Sequence, residues 1–205
     1  LKETKNQGDY LSIKESKRDK LLVKGSKFIA TAIPVSAEEE ALLWIKKIKK
    51  EFHDATHNPY AYVLKNGEIQ KSTDDREPSG TAGRQILSAI LSQNLKDVLV
   101  VVTRYFGGVK LGTGGLSKAY YEIALRVLQS CVLVKKELRE KLVLLLPKRY
   151  FDRVQITLNR EKVKVRKLAF GDRVRMEIDF SREIASRLKD ELKDSTKGEM
   201  EFEID

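Results

Sequence analysis

The alternation of strand-like and helix-like segments predicts an α+β chain of two domains, residues 1–135 and 136–205. Three observations carry that expectation. Val98 to Val102 is an unbroken aliphatic run between two amphipathic helical stretches, as for a central strand buried on both faces of a layered α/β unit. Residues 136–205 alternate the periods of strand and helix in the order βαββαβ, the split ferredoxin-like arrangement. Between the two lies KKELRE, residues 135–140, charged enough to be a linker.

In the first domain, Leu11 to Ile13, Lys20 to Val23 and Lys27 to Val35 read as strands, with Gly25 and Ser26 as a tight turn. Ser36 is an expected N-cap, and Glu38, Glu39 and Glu40 fill the first turn, where the dipole favours acids. Ala41, Ile45, Ile48 and Phe52 then give that helix an apolar face, and Lys46, Lys47, Lys49 and Lys50 a basic outer one. Tyr60 to Leu64 and Glu68 to Lys71 flank Asn66-Gly67, a two-residue hairpin signal. A helix from about Ala82 turns Ile86, Leu87, Ile90 and Leu91 inward. Another, from near Gly115, does so with Leu116, Ala119, Ile123, Ala124 and Val127.

The second domain is expected to begin with a strand at Lys141 to Leu146 and a helix at Arg149 to Leu158. A strand at Glu161 to Leu168 turns at Gly171-Asp172 into another ending at Phe180. Ser181 caps a helix carrying Ile184, Leu188 and Leu192, and Glu199 to Ile204 closes the sheet.

With 41% hydrophobic residues the 205-residue chain has enough apolar material for a core, and its net charge of +10 and pI near 9.5 favour polyanionic partners. The excess sits mainly in the first domain: residues 136–205 hold 18 Lys and Arg against 15 Asp and Glu, the remainder 22 against 15. Cys131 is the single cysteine, so no intrachain disulfide or thiolate cluster can form, and its apolar CVLV setting reads as a packed hydrophobe. No apolar run reaches the roughly 18 residues of a membrane span. With no secretory pattern at the start, a cytoplasmic protein without membrane contact is expected.

Two polar, glycine-rich stretches run into helices: DDREPSGTAGR, residues 74–84, and RYFGGVKLGTGGLSKAY, residues 104–120. Such backbone offers unpaired N–H groups and the positive dipole end to an anion. Gly107, Gly108, Gly112, Gly114 and Gly115 either admit a phosphate or form a sharp strand-to-helix connection. Neither standard nucleotide motif fits. The Walker string is absent, and Ser117 stands where the dinucleotide fingerprint needs glycine.

Asp74, Asp75 and Glu77, beside Arg76, suit Mg²⁺ or proton transfer. Equally they suit a helix-entry turn in which acids bind loop amides, Pro78 fixes the approach and Ser79 or Thr81 caps. His53 and His57 are spaced as for a metal on one helix face, but Asn58-Pro59 breaks a helix there, so no metal site is expected. Tyr105 and Phe106 either stack on a base or cover the core. Arg160, Lys162, Lys164 and Arg166 alternate along a strand, to track a phosphate backbone or simply to be solvated.

The stretch GRQILSAILSQNLKDVLVVVTRYFGGVKLG, with HDATHNPYAY and DDREPSGTAG, resembles the YigZ/Impact family over most of residues 20–130. Arg76 stands where that family usually has glycine. The resemblance implies a first domain with the α/β sandwich fold of the second domain of a small-subunit ribosomal protein and of domain IV of elongation factor G. For the second domain it implies a module like domain V of that factor. Eukaryotic members act in control of translation initiation through a stress-kinase activator. They carry an extra N-terminal domain with no counterpart here, so that role is not expected. The bacterial branch resembles nucleic-acid- or ribosome-associated proteins.

Taken together these readings predict a binding protein for RNA or a ribosomal site, without a cofactor, and with a protein partner by analogy. The phosphate-facing residues would be Ser79, Gly80, Thr81 and Arg84, with His57, Asp75 and Glu77, at the first loop. At the second they would be Arg104, Tyr105, Phe106, Gly107, Gly108, Lys110, Gly112, Gly114, Gly115 and Lys118, and in the second domain Arg160, Lys162, Lys164 and Arg166. The alternative is a Mg²⁺-dependent enzyme handling a nucleotide or another phosphate-containing ligand, with the acids on the metal and His57 moving a proton.

Overall fold

A computed structural model describes residues 9–64 and 67–203. The described residues divide into two compact units, mainly residues 10–136 and 137–203. Among the described residues no helix is long and apolar enough to cross a membrane.

The first unit runs β1 (Tyr10–Ile13), β2 (Lys17–Val23), β3 (Ser26–Pro34), α1 (Glu38–Glu51), β4 (Tyr60–Leu64), β5 (Ile69–Thr73), α2 (Gly83–Ser92), β6 (Val98–Tyr105), α3 (Gly112–Gln129) and β7 (Leu133–Lys136). Five strands form one sheet in the order β2-β3-β6-β4-β5, with each neighbouring pair antiparallel, while β1 pairs with β7 apart from it. Strand alternation sorts the side chains of β6. Val98, Val100 and Val102 join the core that includes Ile86, Ile90, Leu116, Ile123 and Val127 of α2 and α3. Leu99 and Val101 join Ala41, Ile45 and Ile48 of α1 on the other face. The central strand is therefore buried on both faces, as its composition predicts, within an antiparallel sheet.

The second unit is β8 (Arg139–Leu146), α4 (Phe151–Arg160), β9 (Lys164–Phe170), β10 (Val174–Ser181), α5 (Ala185–Ser195) and β11 (Glu201–Glu203). Its sheet order β11-β8-β10-β9 and βαββαβ connectivity are the split arrangement read from the sequence. One face carries Leu142, Leu144, Met176, Ile178 and Phe180 against Val154 and Leu158 of α4 and Leu188 and Leu192 of α5.

Several boundaries differ from the expectation. Ala37, not Ser36, is the N-cap of α1; the Ser36 N–H and hydroxyl both donate to Glu40 Oε2, so the acid in the first turn does the capping. Phe52 falls just after α1. Leu64 pairs with Ile69, so the β4–β5 connection is residues 65–68, longer than a two-residue turn, and Asn66 of the expected turn lies outside the described residues. Single 3-10 turns, Lys148–Tyr150 and Arg182–Ile184, precede α4 and α5, and Ser181 Oγ accepts from Glu183 N–H at the second. Of the expected linker only Glu137 and Leu138 lie outside strands. Ile204 of the closing strand lies outside the described residues.

Candidate functional site

At the first glycine stretch, the α2 N-terminus is already occupied. Asp74 Oδ1 accepts from Ala82 N–H (3.0 Å) and Gly83 N–H (2.8 Å), and Oδ2 from Gly80 N–H (2.8 Å). The dipole and the free amides that would draw a phosphate hold this carboxylate instead. Ser79 is exposed and Thr81 Oγ1 donates to the Pro78 carbonyl, so Asp74 caps in their place. Gly83 has a packing reason: a Cβ there would lie 2.5 Å from the Thr73 carbonyl oxygen. Gly80 takes φ +76° at the turn, and Arg84 points into solvent from α2.

Asp75 and Glu77 are likewise engaged. Asp75 meets Lys49 Nζ at 2.8 Å and accepts from Asn58 N–H at 2.7 Å. Burial pushes its carboxyl up, but that ammonium and that amide outweigh it and hold it below the usual range. Glu77, buried, accepts from Arg104 Nη1 and from the Tyr120 hydroxyl, both at 2.7 Å. Burial, with Glu77 beside it, drives the Tyr120 phenol far above its ordinary value, so it stays a donor. The carboxylates proposed for Mg²⁺ thus serve as internal acceptors.

Arg104 corrects the sequence reading. β6 extends through Tyr105, and residue 104 shares the parity of Val98, Val100 and Val102, so its guanidinium turns inward and is only 5% exposed. It lies between the Phe28 and Phe106 rings, at 5.5 and 5.6 Å from their centroids, and among the described residues its Nε has no hydrogen-bond partner. His57 is held beside it by backbone pairing with Arg104. Its Nδ1 meets the Asp75 carbonyl oxygen at 2.9 Å, and its Nε2 lies 3.9 Å from Glu77 Oε1. His53 is exposed in the turn after α1, away from this cluster.

The second glycine stretch divides. Gly107 is structural: a Cβ would fall 1.8 Å from the Gly25 carbonyl carbon, so the chain passes the β2–β3 turn backbone to backbone. Gly108, at φ +85°, and Gly112, at φ +72°, make the turn into α3. Gly114 and Gly115 lie inside the first helical turn, not in the loop, because α3 starts at Gly112, three residues before the expected position. Among the described residues no side chain caps α3. A Cβ at Gly114 would meet nothing within 4 Å. Lys110 and Lys118 are exposed nearby, and among the described residues neither has an ion-pair partner.

Both stretches border one open cleft of about 410 Å³, lined by Thr56, His57, Glu77, Pro78, Arg104, Phe106, Lys110, Leu111, Gly112, Thr113 and Leu116. Phe106, 47% exposed, stands at its wall, while Tyr105 turns away to donate to Asp54 at 2.8 Å. Sequence reasoning missed Thr56, Leu111, Thr113 and Tyr120. Tyr120 had a signal: a hydroxyl on the apolar stripe of α3 needs a buried acceptor.

In the second unit the four expected basic residues do not share a strand face. Arg160 ends α4 and pairs with Glu191 and Glu161, and Lys162 sits in the following turn at φ +53°. Only Lys164 and Arg166 belong to β9, where Arg166 is bound to Asp179. The helical end and the left-handed turn break the period of two.

The Impact N-terminal domain matches residues 24–128. The chain is 50% identical over 112 residues to "IMPACT family member YvyE" of Bacillus subtilis, covering 54% of this chain and 52% of that protein. It is 44% identical over 108 residues to "IMPACT family member in pol 5'region" of Thermus thermophilus (53% and 58%). It is 36% identical over 101 residues to "IMPACT family member YigZ" of Escherichia coli (48% and 50%). The chain thus spans about half the length of these curated relatives. A solved structure described as "Crystal structure of an hypothetical protein" matches 95% of this chain and 96% of its own, with a TM-score of 0.74 at 23% identity, a likeness of fold.

Proposed function

The chain belongs to the YigZ/Impact family, and from that premise we propose that it binds single-stranded RNA, free or in the ribosome, through the cleft at the start of α3. The carrying observation is the contrast between two helix ends: Asp74 accepts from the amides at the start of α2, whereas among the described residues no side chain accepts from the first-turn amides of α3. The first-turn amides of α3 lack intrahelical partners and sit at its positive dipole end, an arrangement suited to phosphate. Lys110 and Lys118 add charge, and Phe106 offers a ring to an unstacked base. The Mg²⁺-dependent alternative finds Asp74 and Asp75 with their oxygens bonded within the fold, and Glu77 with its Oε1 holding Arg104 and Tyr120. Control of translation is the physiological consequence proposed for such binding.

The test is the affinity of the full chain for a labelled oligoribonucleotide across a salt series. Binding should weaken as salt rises, with a log–log slope of about −0.7 per neutralised phosphate. The Lys110→Glu/Lys118→Glu double variant should bind at least tenfold more weakly and with a shallower slope. Unchanged affinity in that variant, or binding indifferent to salt, would remove this reading.

A further inference from the structure

Two polar groups that line the cleft, Glu77 and His57, are left as acceptors. Glu77 is 7% exposed, and its Oε1 takes both the Arg104 and the Tyr120 donors. Among the described residues nothing donates to its Oε2, and that oxygen is not sealed in the core. A carboxylate oxygen held out of bulk water without a donor is poised to take one from a ligand. His57 lies beside it, with Nε2 3.9 Å from Glu77 Oε1. The Asp75 carbonyl can only accept, so the Nδ1 that meets it at 2.9 Å carries the proton, and in the neutral ring Nε2 is an acceptor. Pro78, Phe106, Leu111 and Leu116 add apolar surface around this pair.

A phosphate has only oxygens to offer and would be opposed by two acceptors, so its place is by Lys110 and the start of α3. A cation would face the Arg104 guanidinium, bonded to the same carboxylate. What fits is a flat, neutral group with two donors side by side on one edge. Among the four RNA bases guanine alone has that edge, in its N1–H and its 2-amine. The amines of adenine and cytosine stand next to a ring acceptor, and the N3–H of uracil lies between two carbonyls. We infer that the cleft reads a guanine base of an RNA strand, with Glu77 Oε2 and His57 Nε2 accepting from its Watson–Crick edge and Phe106 against its face. The inference rests on the proposed RNA-binding reading and names the base that is read.

A short uridine oligoribonucleotide with one central guanosine, inosine, adenosine or cytidine tests it by fluorescence anisotropy with the full chain. The guanosine form should bind about tenfold more tightly than the adenosine form, and inosine, which lacks the amine, should forfeit most of that gain. His57→Asn keeps a donor for the Asp75 carbonyl but removes the Nε2 acceptor, so it should bring the guanosine-to-adenosine ratio close to one. Glu77→Gln, which puts an amide where one oxygen stood, should do the same. Equal affinity for all four forms overturns the inference and leaves the RNA-binding reading standing, whereas no binding by any of them removes both. Inosine bound as tightly as guanosine overturns the two-donor edge. Competition by GMP at the affinity of the guanosine strand supports the base and overturns the strand as its source. A preference that persists in His57→Asn places recognition elsewhere and overturns the assignment to this cleft.

Discussion

Gly107 and Gly114 are alike in the sequence and opposite in the structure. Alanine at 107 would drive its Cβ to 1.8 Å from the Gly25 carbonyl carbon, where only backbone could yield. Gly107→Ala should therefore destabilise the first unit by about 3 kcal/mol or prevent folding, as denaturant titration would reveal. Alanine at 114 meets nothing and gains helix propensity, so Gly114→Ala should stabilise by up to about 1 kcal/mol. The same change should weaken RNA binding, because a methyl group then stands where phosphate approaches. A Gly114→Ala protein that is more stable and binds undiminished would speak against contact there. Arg76 sits at φ +71°, a conformation glycine adopts freely, so Arg76→Gly should leave stability within about 1 kcal/mol of the parent. Glycine content marked the region in the sequence, but that Gly107 packs while Gly114 lies open depends on a turn distant in sequence, at Gly25. The inward turn of Arg104 followed from strand parity once β6 extended to residue 105. A reading that ended the strand at Val102 could not supply it.

Among the elements, the two helix ends carry the argument. Asp74→Ala would leave three loop amides without an acceptor and should destabilise by about 2 kcal/mol, with RNA affinity unchanged. A loss of affinity matching that of the lysine variants would contradict the division between the ends. In the second unit, Asp179 binds Arg139 and Arg166. Burial pushes its carboxyl up, but the two guanidinium groups outweigh that and hold it below the ordinary aspartate value. Its contribution to stability is complete above about pH 4, the unfolded value, and drains away as pH falls through the lower native one. Acid unfolding followed by circular dichroism should show this limb, and Asp179→Asn should flatten it. The helices and strands were legible because their apolar periods are long. The charged strand of residues 160–166 was not, since a helix end and a left-handed Lys162 produce the same alternation as a strand.

For the molecule as a whole, a net charge of +10 says that an anion is attracted but not where it rests. The basic side chains of the second unit that were expected to track a backbone are partly paired, as with Arg160 and Arg166. The start of α3 keeps Lys110 and Lys118 without acid partners among the described residues. The mixed α+β class was readable from sequence alone, whereas the choice between two similar loops needed the position of one carboxylate, Asp74. The most direct measurement is a titration of the amide-labelled chain with an oligoribonucleotide, followed by nuclear magnetic resonance. The amides of Thr113, Gly114 and Gly115 should shift strongly while those of Gly80, Ala82 and Gly83 stay in place. Shifts centred on Gly80 to Gly83, or none at the start of α3, would contradict the assignment.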